Sequence, residues 1–380
     1  MVRIGIDYTA AIHQRAGIGR HVREIVAALA AAAPAERHPA AEVTLFVGAS
    51  RRPKLPPPPG AFTYAPAPLS EMTLARIWHR LQIPLPVEVW TGRVALFHGM
   101  DFLAPPTLPG TRTVVTVHDL SFVRDPASTM PGMLDYLSTV VPRAARRADH
   151  VIVTAQATKD DLIALYGLDP AKITVVYSGV PAMFRPVDDP ETLQAVRTRY
   201  GLGDAPFVLT VGTLQPRKNH ARLVRAFEKV SSRYLLVIAG ETGWSYEETM
   251  QAIEETGQRA RVRLIGYVSD DLPALYSAAT VLAFPSLYEG FGFPPAEAMA
   301  CGTPVIVSNV SSLPEVVGDA GLQVDPMDVD ALAVALVRLT EDETLCKELR
   351  RRGFRQAARF TWARAAAALW EVYAALLETR

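Results

Sequence analysis

Short apolar runs alternate with amphipathic stretches along most of the chain, the hydrophobic pattern of repeated β–α units. The apolar runs predict buried strands at residues 2–7, 42–47, 94–97, 113–117, 151–154, 173–176, 207–211, 234–239, 262–265, 280–284 and 305–307. The amphipathic stretches predict helices, among them residues 20–33, 71–81, 134–148, 158–166, 220–231, 246–256, 272–277, 296–300, 331–339 and 362–377. This alternation indicates an α/β protein with parallel sheets.

The β–α rhythm pauses at residues 181–189 and then restarts. A chain of 380 residues exceeds one ordinary core, so we expect two α/β domains, residues 1–185 and 186–361, followed by a terminal helix within 362–380. Residues 51–68 contain seven prolines, which predicts an extended surface connection.

Composition narrows the function classes. The net charge is zero, so no nucleic-acid partner is expected. Residues 1–185 carry 19 Lys and Arg against 14 Asp and Glu, a charge of +5. This basic half could contact an anionic membrane or an acidic acceptor, or simply carry scattered solvated charge. Two cysteines, no signal-peptide pattern and no apolar stretch of about 18 residues indicate a cytoplasmic protein, at most peripheral to the inner face of a membrane.

The loop after the first predicted strand carries Gly17 and Gly19. A dinucleotide fingerprint would require a third glycine where Val22 stands, so an NAD site is disfavoured. The two glycines serve either a flexible loop or the close approach of backbone to a phosphate.

Residues 284–304, FPSLYEGFGFPPAEAMACGTP, predict a strand, a glycine-rich loop and a helix that starts near Pro295. Loop amides and a helix N-terminus together suit an anion such as a phosphate. Glu289 and Glu297 flank that place. A structural role, as a macrodipole partner or a loop residue, explains each glutamate alone as well as a role in ligand binding does. The combination suits a sugar nucleotide, which offers both hydroxyls and phosphates.

Other polar residues follow predicted strands in the same way. Arg217 and Lys218 follow Gly212 and form a second candidate anion site, although exposed basic pairs are common. His118 ends another strand and either faces a ligand or is held structurally by Asp119. Asp328 and Asp330 form a D-x-D pair, which we interpret as helix capping rather than a metal site.

The stretch 284–304 resembles the E-x7-E motif of retaining GT-B glycosyltransferases, in particular family 4, also called group 1, and the likeness covers most of the chain. The resemblance implies two Rossmann-like domains facing a central crevice, with the acceptor in the first, the nucleotide in the second and the last helix crossing back to the first. It implies that His118, Glu289, Arg217 and Lys218 are catalytic. The donor-binding residues that it implies are Gly17, Gly19, Gly212, Arg217, Lys218, Tyr267, Val268, Glu289, Gly290, Phe291, Gly292 and Glu297.

In that family, the cations hold the diphosphate, the second glutamate binds ribose, and the turn at Tyr267 and Val268 cradles the base through backbone groups. The pair Ser178-Gly179 departs slightly from the family, which more often has Asn at the first position. We expect a retaining, metal-independent hexosyltransferase without a cofactor, moving mannose from GDP-mannose, or glucose from UDP-glucose, to a glycan or lipid-linked acceptor in polysaccharide biosynthesis.

Three other functions stay open at this point. A GT-B sugar-nucleotide epimerase would consume donor without acceptor. A non-catalytic sugar-nucleotide-binding subunit would bind donor and transfer nothing. An NAD oxidoreductase is opposed by the missing fingerprint.

Overall fold

The computed structural model describes residues 2–15, 17–32, 41–49 and 55–378. Their contacts divide the chain into two compact units. The first unit comprises residues 1–123, 130–179 and 361–380, and the second comprises residues 124–129 and 180–360.

The first unit contains a seven-stranded parallel sheet. Its strands are β1 Val2–Asp7, β2 Ala41–Gly48, β3 Thr63–Ala67, β4 Leu96–Gly99, β5 Arg112–Val117, β6 His150–Val153 and β7 Ile173–Val175. The strand order is β3-β2-β1-β4-β5-β6-β7, so the direction of winding reverses between β1 and β4. Loops at the carboxyl ends of strands at such a switch point form the usual ligand crevice of α/β sheets.

The helices up to residue 180 are α1 Thr9–His13, α2 Ile18–Ala31, α3 Glu71–Ala75, α4 Glu88–Thr91, α5 Ser121–Arg124, α6 Pro131–Arg147 and α7 Gln156–Tyr166. A π-helical turn, Arg76–Arg80, extends α3 and completes the helix predicted at 71–81. Two 3₁₀ turns, Pro126–Ser128 and Pro170–Lys172, join other elements.

Strand β3 corrects the prediction for the proline-rich stretch, of which residues 51–54 lie outside the described residues. Pro66 pairs with Val47 inside this strand. Proline cannot donate a ladder hydrogen bond, but β3 is an edge strand and bonds to one neighbour only, so the missing N–H is tolerated.

The second unit contains a six-stranded parallel sheet. Its strands are β8 Phe207–Val211, β9 Leu235–Ala239, β10 Val262–Gly266, β11 Val281–Phe284, β12 Val305–Ser308 and β13 Gly321–Val324. The order is β10-β9-β8-β11-β12-β13, which places the switch point between β8 and β11. Sequence analysis did not find β13, whose four residues include a glycine and a glutamine.

The helices of this unit are α8 Pro190–Arg199, α9 His220–Phe227, α10 Glu247–Glu255, α11 Leu272–Ala278, α12 Phe293–Ala300, α13 Leu313–Val317, α14 Val329–Glu341 and α15 Glu343–Ala357. A 3₁₀ turn, Pro216–Lys218, precedes α9. Alternate strand residues pack on opposite faces of the sheet: Leu209 and Leu282 belong to one apolar cluster, Val208 and Val281 to the other. Both faces are therefore buried, as in other parallel sheets.

The last helix, α16 Trp362–Glu378, belongs to the first unit and packs against α2. His98 in β4 anchors it through a 2.6 Å hydrogen bond between Nδ1 and the Tyr373 hydroxyl. The other nitrogen of His98 lies 2.8 Å from Thr116 Oγ1. His98 is thus a fully buried structural histidine. Among the described helices, we find none with the length and apolar character needed to span a bilayer.

Candidate active site

The switch point of the second sheet brings together the two predicted cations and the first predicted carboxylate. Arg217 and Lys218 lie in the loop after β8, and Glu289 lies in the loop after β11. Arg217 Nη1 is 3.0 Å from Glu289 Oε2, and Lys218 Nζ donates to Glu289 Oε1. Because β8 and β11 are adjacent and parallel, residues 71 and 72 positions apart in sequence meet here.

Only 11% of the Glu289 side chain is exposed. Its carboxyl is nevertheless ionised. Burial raises the pKa of its carboxyl, but the charges of Arg217 and Lys218 lower it, and so do hydrogen bonds from Lys218 and Ser286. The balance brings the pKa of Glu289 to about 2. Two cations and one carboxylate leave this cluster with a net positive charge, which suits a polyanionic ligand.

Serine side chains hold the loop after β11 in place, and sequence analysis missed them. Ser286 Oγ is 2.6 Å from Glu289 Oε1 and 3.0 Å from the Arg217 carbonyl. Ser312 Oγ donates to the carbonyls of Glu289 and Phe291, both at 2.9 Å. Ser311 Oγ accepts from the Glu289 amide at 3.0 Å. Both the backbone and the carboxylate of Glu289 are therefore fixed before any ligand binds.

Asn219, which follows the two cations, is a second positioning residue. Its Nδ2 donates to the carbonyl of Pro285, at 2.9 Å, and to that of Pro326, at 2.7 Å, so it joins three loops. Its φ is +60°, in the left-handed region, which asparagine tolerates better than most residues.

Gly212 gives the Lys218 side chain its space. Its φ is +153°, and a Cβ added there would lie 3.1 Å from Lys218 Cε. The positive φ favours glycine, and a Cβ would also crowd the Lys218 side chain. Lys218 Nζ also lies 4.9 Å from the centre of the Phe284 ring, over its face.

Helix α12 begins earlier than predicted. It starts at Phe293 after Gly292, whose φ is +101°, so Glu297 is the fifth helical residue rather than a first-turn residue. Pro294 and Pro295 occupy the first turn and have no N–H groups. The helix N-terminus therefore offers fewer amides than expected, and the preceding loop must supply the remaining donors for an anion.

Glu297 is 1% exposed, and its Oε2 accepts a hydrogen bond of 3.1 Å from the Tyr276 hydroxyl. The tyrosine, on α11, was not predicted as a site residue. Its hydroxyl orients the carboxylate from the side of the core.

The aromatic residue of the Gly-Phe-Gly loop faces the core. Phe291 is 4% exposed and packs edge-on against Phe293 and Phe360, with ring centres 5.3 and 5.4 Å away. The Phe291 side chain is thus structural. Only the backbone groups of Phe291 and Gly290 can contact a sugar-nucleotide donor.

The turn after β10 begins with Gly266 at φ +71°, whose carbonyl accepts from the Gly240 amide at 2.8 Å. Tyr267 is 44% exposed, whereas Val268 is buried. The turn therefore presents backbone and one aromatic side chain at the carboxyl end of the sheet.

In the first unit, His118 follows β5 at the carboxyl end of the sheet and is 7% exposed. Burial lowers the pKa of its imidazole. With the ring neutral, Nε2–H donates to the Met100 carbonyl at 2.8 Å, and that tautomer leaves the Nδ1 lone pair as an acceptor. The rings of His21 and Phe102 pack edge-on against His118, at 5.0 and 5.6 Å between ring centres, and fix its plane.

Gly17 and Gly19 have internal reasons to be glycine. Gly17 caps α2 with φ +57°. A Cβ on Gly19 would lie 2.1 Å from the Gln14 carbonyl oxygen, so α1 and α2 could not approach each other. These contacts account for both glycines without a phosphate, and their predicted donor role stays a prediction.

Two partly buried aspartates, which were not predicted, lie at the switch point of the first sheet. Asp7 ends β1, and Asp101 follows β4 by two residues. Burial raises the pKa of each carboxyl to about 6, despite a hydrogen bond to Asp7 from Thr9 and one to Asp101 from Gln14. The strand-end rule that selected His118 also applies to these two positions, so the sequence contained the signal.

Asp328 caps α14, as predicted, because its Oδ1 accepts from the Ala331 amide at 2.9 Å. Over residues 2–15, 17–32, 41–49 and 55–378, no group of three or more His, Cys, Asp or Glu side chains has the arrangement of a metal site. Arg217, Lys218, Glu289 and Glu297 lie in the second unit, whereas His118, Gly17 and Gly19 lie in the first.

Comparisons with known proteins agree on one family. Residues 195–356 match "Glycosyl transferases group 1", and residues 15–183 match "Glycosyltransferase Family 4". The chain is 34% identical to the O-antigen chain mannosyltransferase B of Escherichia coli over 272 residues, 70% of this chain and 71% of the relative. It is 33% identical to the D-inositol 3-phosphate glycosyltransferase of Salinispora arenicola over 284 residues, 70% of this chain and 63% of the relative.

Among solved structures, sucrose-phosphate synthase from Thermosynechococcus elongatus superposes with a TM-score of 0.77 at 23% identity, covering 100% of both chains. That likeness establishes the fold.

Proposed function

The chain belongs to glycosyltransferase family 4, also called group 1, and has the GT-B fold; from that premise we propose that it is a retaining hexosyltransferase that moves mannose from GDP-mannose to a glycan or lipid-linked acceptor. The observation that carries the proposal is the cluster of Arg217, Lys218 and Glu289 at the switch point of the second sheet.

The donor diphosphate is the ligand that this cluster suits best. Arg217 and Lys218 are each largely buried, with 19% and 11% of their side chains exposed, and both pair with Glu289. A diphosphate that binds here replaces Glu289 as the ion-pair partner of both cations. The cations then stabilise the negative charge that develops on the leaving group. The Gly290–Gly292 amides add donors on the same charge.

Glu289 then has a second task. Once the cations contact phosphate, its oxygens accept hydrogen bonds from hydroxyls of the transferred sugar. Ser286 keeps the carboxylate in position during this exchange of partners.

Glu297 binds the ribose hydroxyls in this proposal, with Tyr276 orienting it. The turn at Tyr267 and Val268 holds the base. His118 accepts a hydrogen bond from the sugar through Nδ1, because its Nε2–H is engaged by Met100.

The name of the Escherichia coli relative supports mannose as the sugar and a bacterial surface polysaccharide as the product. The name of the Salinispora relative gives a different acceptor, D-inositol 3-phosphate, and names no sugar. UDP-glucose is the second donor to test. Transfer would take place in the cytoplasm, at the inner face of the membrane when the acceptor is lipid-linked.

We propose no covalent nucleophile. A double displacement needs two carboxyls near the anomeric carbon, and Glu297 is assigned to the ribose. Retention is tested by determining the anomeric configuration of the product by NMR. An inverted product would contradict the proposed stereochemistry and leave the donor assignment intact.

The proposed reaction needs no metal, because Arg217, Lys218 and loop amides carry the leaving charge. Activity should be unchanged after treatment with EDTA and removal of the chelator. Complete loss that a divalent metal restores would contradict metal independence.

The first experiment is thermal unfolding with GDP, UDP, ADP, GDP-mannose, UDP-glucose and NAD. A ligand that binds only the folded protein raises the melting temperature by mass action. A shift with GDP and GDP-mannose supports the proposal, and a shift with UDP and UDP-glucose replaces the donor. Donor consumption without acceptor would indicate an epimerase, donor binding with no transfer to any acceptor a binding subunit, and a shift with NAD alone an oxidoreductase.

A further inference from the structure

A series of side-chain contacts in the first unit connects His118 with the two segments through which the chain leaves and re-enters that unit. The chain leaves the first unit after Gly179 and returns to it at Thr361. A Cβ added to Gly179 would lie 2.3 Å from the Trp362 amide nitrogen and 2.7 Å from the Thr361 carbonyl carbon. The two segments are therefore in contact and leave room only for glycine at this position.

Ser178 precedes that glycine and is 1% exposed. Its hydroxyl oxygen lies 2.9 Å from Nδ1 of His21, a residue of α2. Burial lowers the pKa of His21 well below its ordinary value, and the neighbouring His118 and His98 lower it further. The ring is therefore neutral, with one nitrogen as donor and the other as acceptor. A serine hydroxyl can bond to either kind of nitrogen, and this hydrogen bond fixes the rotation of the His21 ring.

The His21 ring in turn contacts two other rings. Its centre lies 5.0 Å from that of His118, with 81° between the ring planes. It lies 5.4 Å from the ring centre of Trp362, the first residue of α16, at 70°. All three side chains are buried. Because buried side chains are closely packed, a rotation of the His21 ring would displace the His118 ring.

The orientation of the His118 ring depends on contacts at its edges. Its Nε2–H donates to the Met100 carbonyl, but Nε2 lies nearer to the Cβ–Cγ axis than Nδ1 does. A turn of the ring about that axis therefore moves the Nδ1 lone pair more than it moves this hydrogen bond. The rings of His21 and Phe102, which pack edge-on against His118, then determine the direction of the Nδ1 lone pair.

We propose that Ser178 is a positioning residue for the transfer reaction and acts on His118 through His21. Its hydroxyl holds the His21 ring, and the His21 ring holds His118 with Nδ1 toward the sugar. This inference rests on the proposed function, in which Nδ1 of His118 accepts a hydrogen bond from the sugar. It gives a role to Ser178, a position at which the family more often has Asn.

The first test needs neither donor nor acceptor. Long-range ¹H–¹⁵N correlation spectra of the full chain with ¹⁵N-labelled histidine report on each imidazole, and His118→Gln identifies the signals of His118. Wild type should show one neutral tautomer with the proton on Nε2. Ser178→Ala should shift and broaden the His118 signals, because the His21 ring can then rotate. Unchanged His118 signals in Ser178→Ala would overturn the proposal.

The second test is the rate of GDP release from GDP-mannose with octyl α-mannoside as acceptor, or of UDP release from UDP-glucose if the melting series identifies that donor. Ser178→Ala should lower kcat about fivefold, the effect of one lost neutral hydrogen bond. The KM for the donor should stay unchanged, because the proposed nucleotide contacts lie in the second unit. An unchanged kcat, or a rise in KM alone, would overturn the proposal.

A double-mutant cycle tests whether the effect passes through His21. His21→Phe keeps a ring beside His118 and Trp362 but has no ring nitrogen for Ser178. In this background, Ser178→Ala should lower kcat by less than about twofold, because residues that act through one contact are not additive. A loss of about fivefold in both backgrounds would show that Ser178 acts independently of His21 and would contradict the proposal.

The matched control is Thr174→Val, which removes another hydroxyl that bonds to a histidine of the first unit. Thr174 Oγ1 lies 2.8 Å from Nε2 of His150. The control should leave the His118 signals and kcat unchanged, and a fall in kcat equal to that of Ser178→Ala would overturn the proposal. The proposed function fails by a different result, which is a wild-type chain whose melting temperature no nucleotide sugar raises and which transfers no sugar.

Discussion

The carboxyl edges of the two sheets shift the pKa of a carboxyl group in opposite directions. Each has its switch point at the same place in the winding order, between β1 and β4 or between β8 and β11, and each holds a carboxylate there that is mostly shielded from solvent. In the second unit two cations lower the pKa of Glu289 to about 2. In the first unit burial outweighs the hydrogen bonds and raises the pKa of Asp101 to about 6.

This contrast indicates which ligand groups each edge can recognise. The second edge has cations at hand, so it suits phosphates. The first edge has the partly buried carboxylates of Asp7 and Asp101 and a neutral imidazole at His118. All three groups can exchange hydrogen bonds with sugar hydroxyls, and the carboxylates would repel a phosphate. The proposed binding of the donor diphosphate by the second unit agrees with this difference.

Of these substitutions, Lys218→Ala should lower the rate of transfer the most. It removes one of the two cations that we propose to hold the leaving diphosphate, and loss of a single such group costs roughly 10²–10³-fold in kcat. The measurement is donor turnover with acceptor, and Lys229→Ala, an exposed lysine in the same unit, is the control. Near-wild-type turnover would remove Lys218 from the diphosphate.

Asp101→Asn should sharpen the electrostatic contrast. The folded pKa of Asp101, about 6, lies above its ordinary value of 3.8, so wild-type stability falls as pH rises through this interval. The substitution should therefore stabilise the protein by about 3 kcal/mol at pH 8 and have little effect at pH 4. Denaturant unfolding at both pH values measures it, and equal effects at the two would contradict the raised pKa.

The same measurement on Glu289→Gln should give the opposite sign. The folded pKa of Glu289, about 2, lies below its ordinary value of 4.5, so its stabilisation is present above pH 4.5 and is lost as pH falls toward 2. Glu289→Gln should destabilise the protein at neutral pH and lose that effect in acid.

Glu297→Gln should weaken nucleoside diphosphate binding about tenfold, because an amide accepts fewer hydroxyl hydrogen bonds than a carboxylate and loses the charge. Tyr276→Phe, which keeps the carboxylate but removes its tyrosine partner, should cost less. Calorimetric titration with the free nucleotide measures both affinities. Unchanged affinity in Glu297→Gln would contradict the assignment of Glu297 to the ribose.

Glu289→Gln should also tighten binding of the free nucleoside diphosphate about threefold while lowering transfer, because Arg217 and Lys218 no longer have a competing carboxylate. Glu228→Gln makes the same change at an exposed position in the same unit. Weaker nucleotide binding in Glu289→Gln would show that the carboxylate does not compete with the diphosphate.

We could predict from the sequence the β–α alternation, the two α/β units, the family and the stretches that hold Arg217, Lys218, Glu289 and Glu297. These are local features: hydrophobic period, turn residues and spaced motifs persist whatever the rest of the chain does. Strand β3 was not predicted, because proline is excluded from central strands only, and whether a strand lies at the edge of a sheet depends on the tertiary structure.

The tertiary structure alone decided which loops meet. The ion pairs of Glu289, the support from Ser286 and the links that Asn219 makes to Pro285 and Pro326 join residues 3 to 107 positions apart. The pKa of Asp101 and the neutral state of His118 likewise follow from burial. Burial and the meeting of distant loops arise only when the sheets assemble, since no single strand contains the partners.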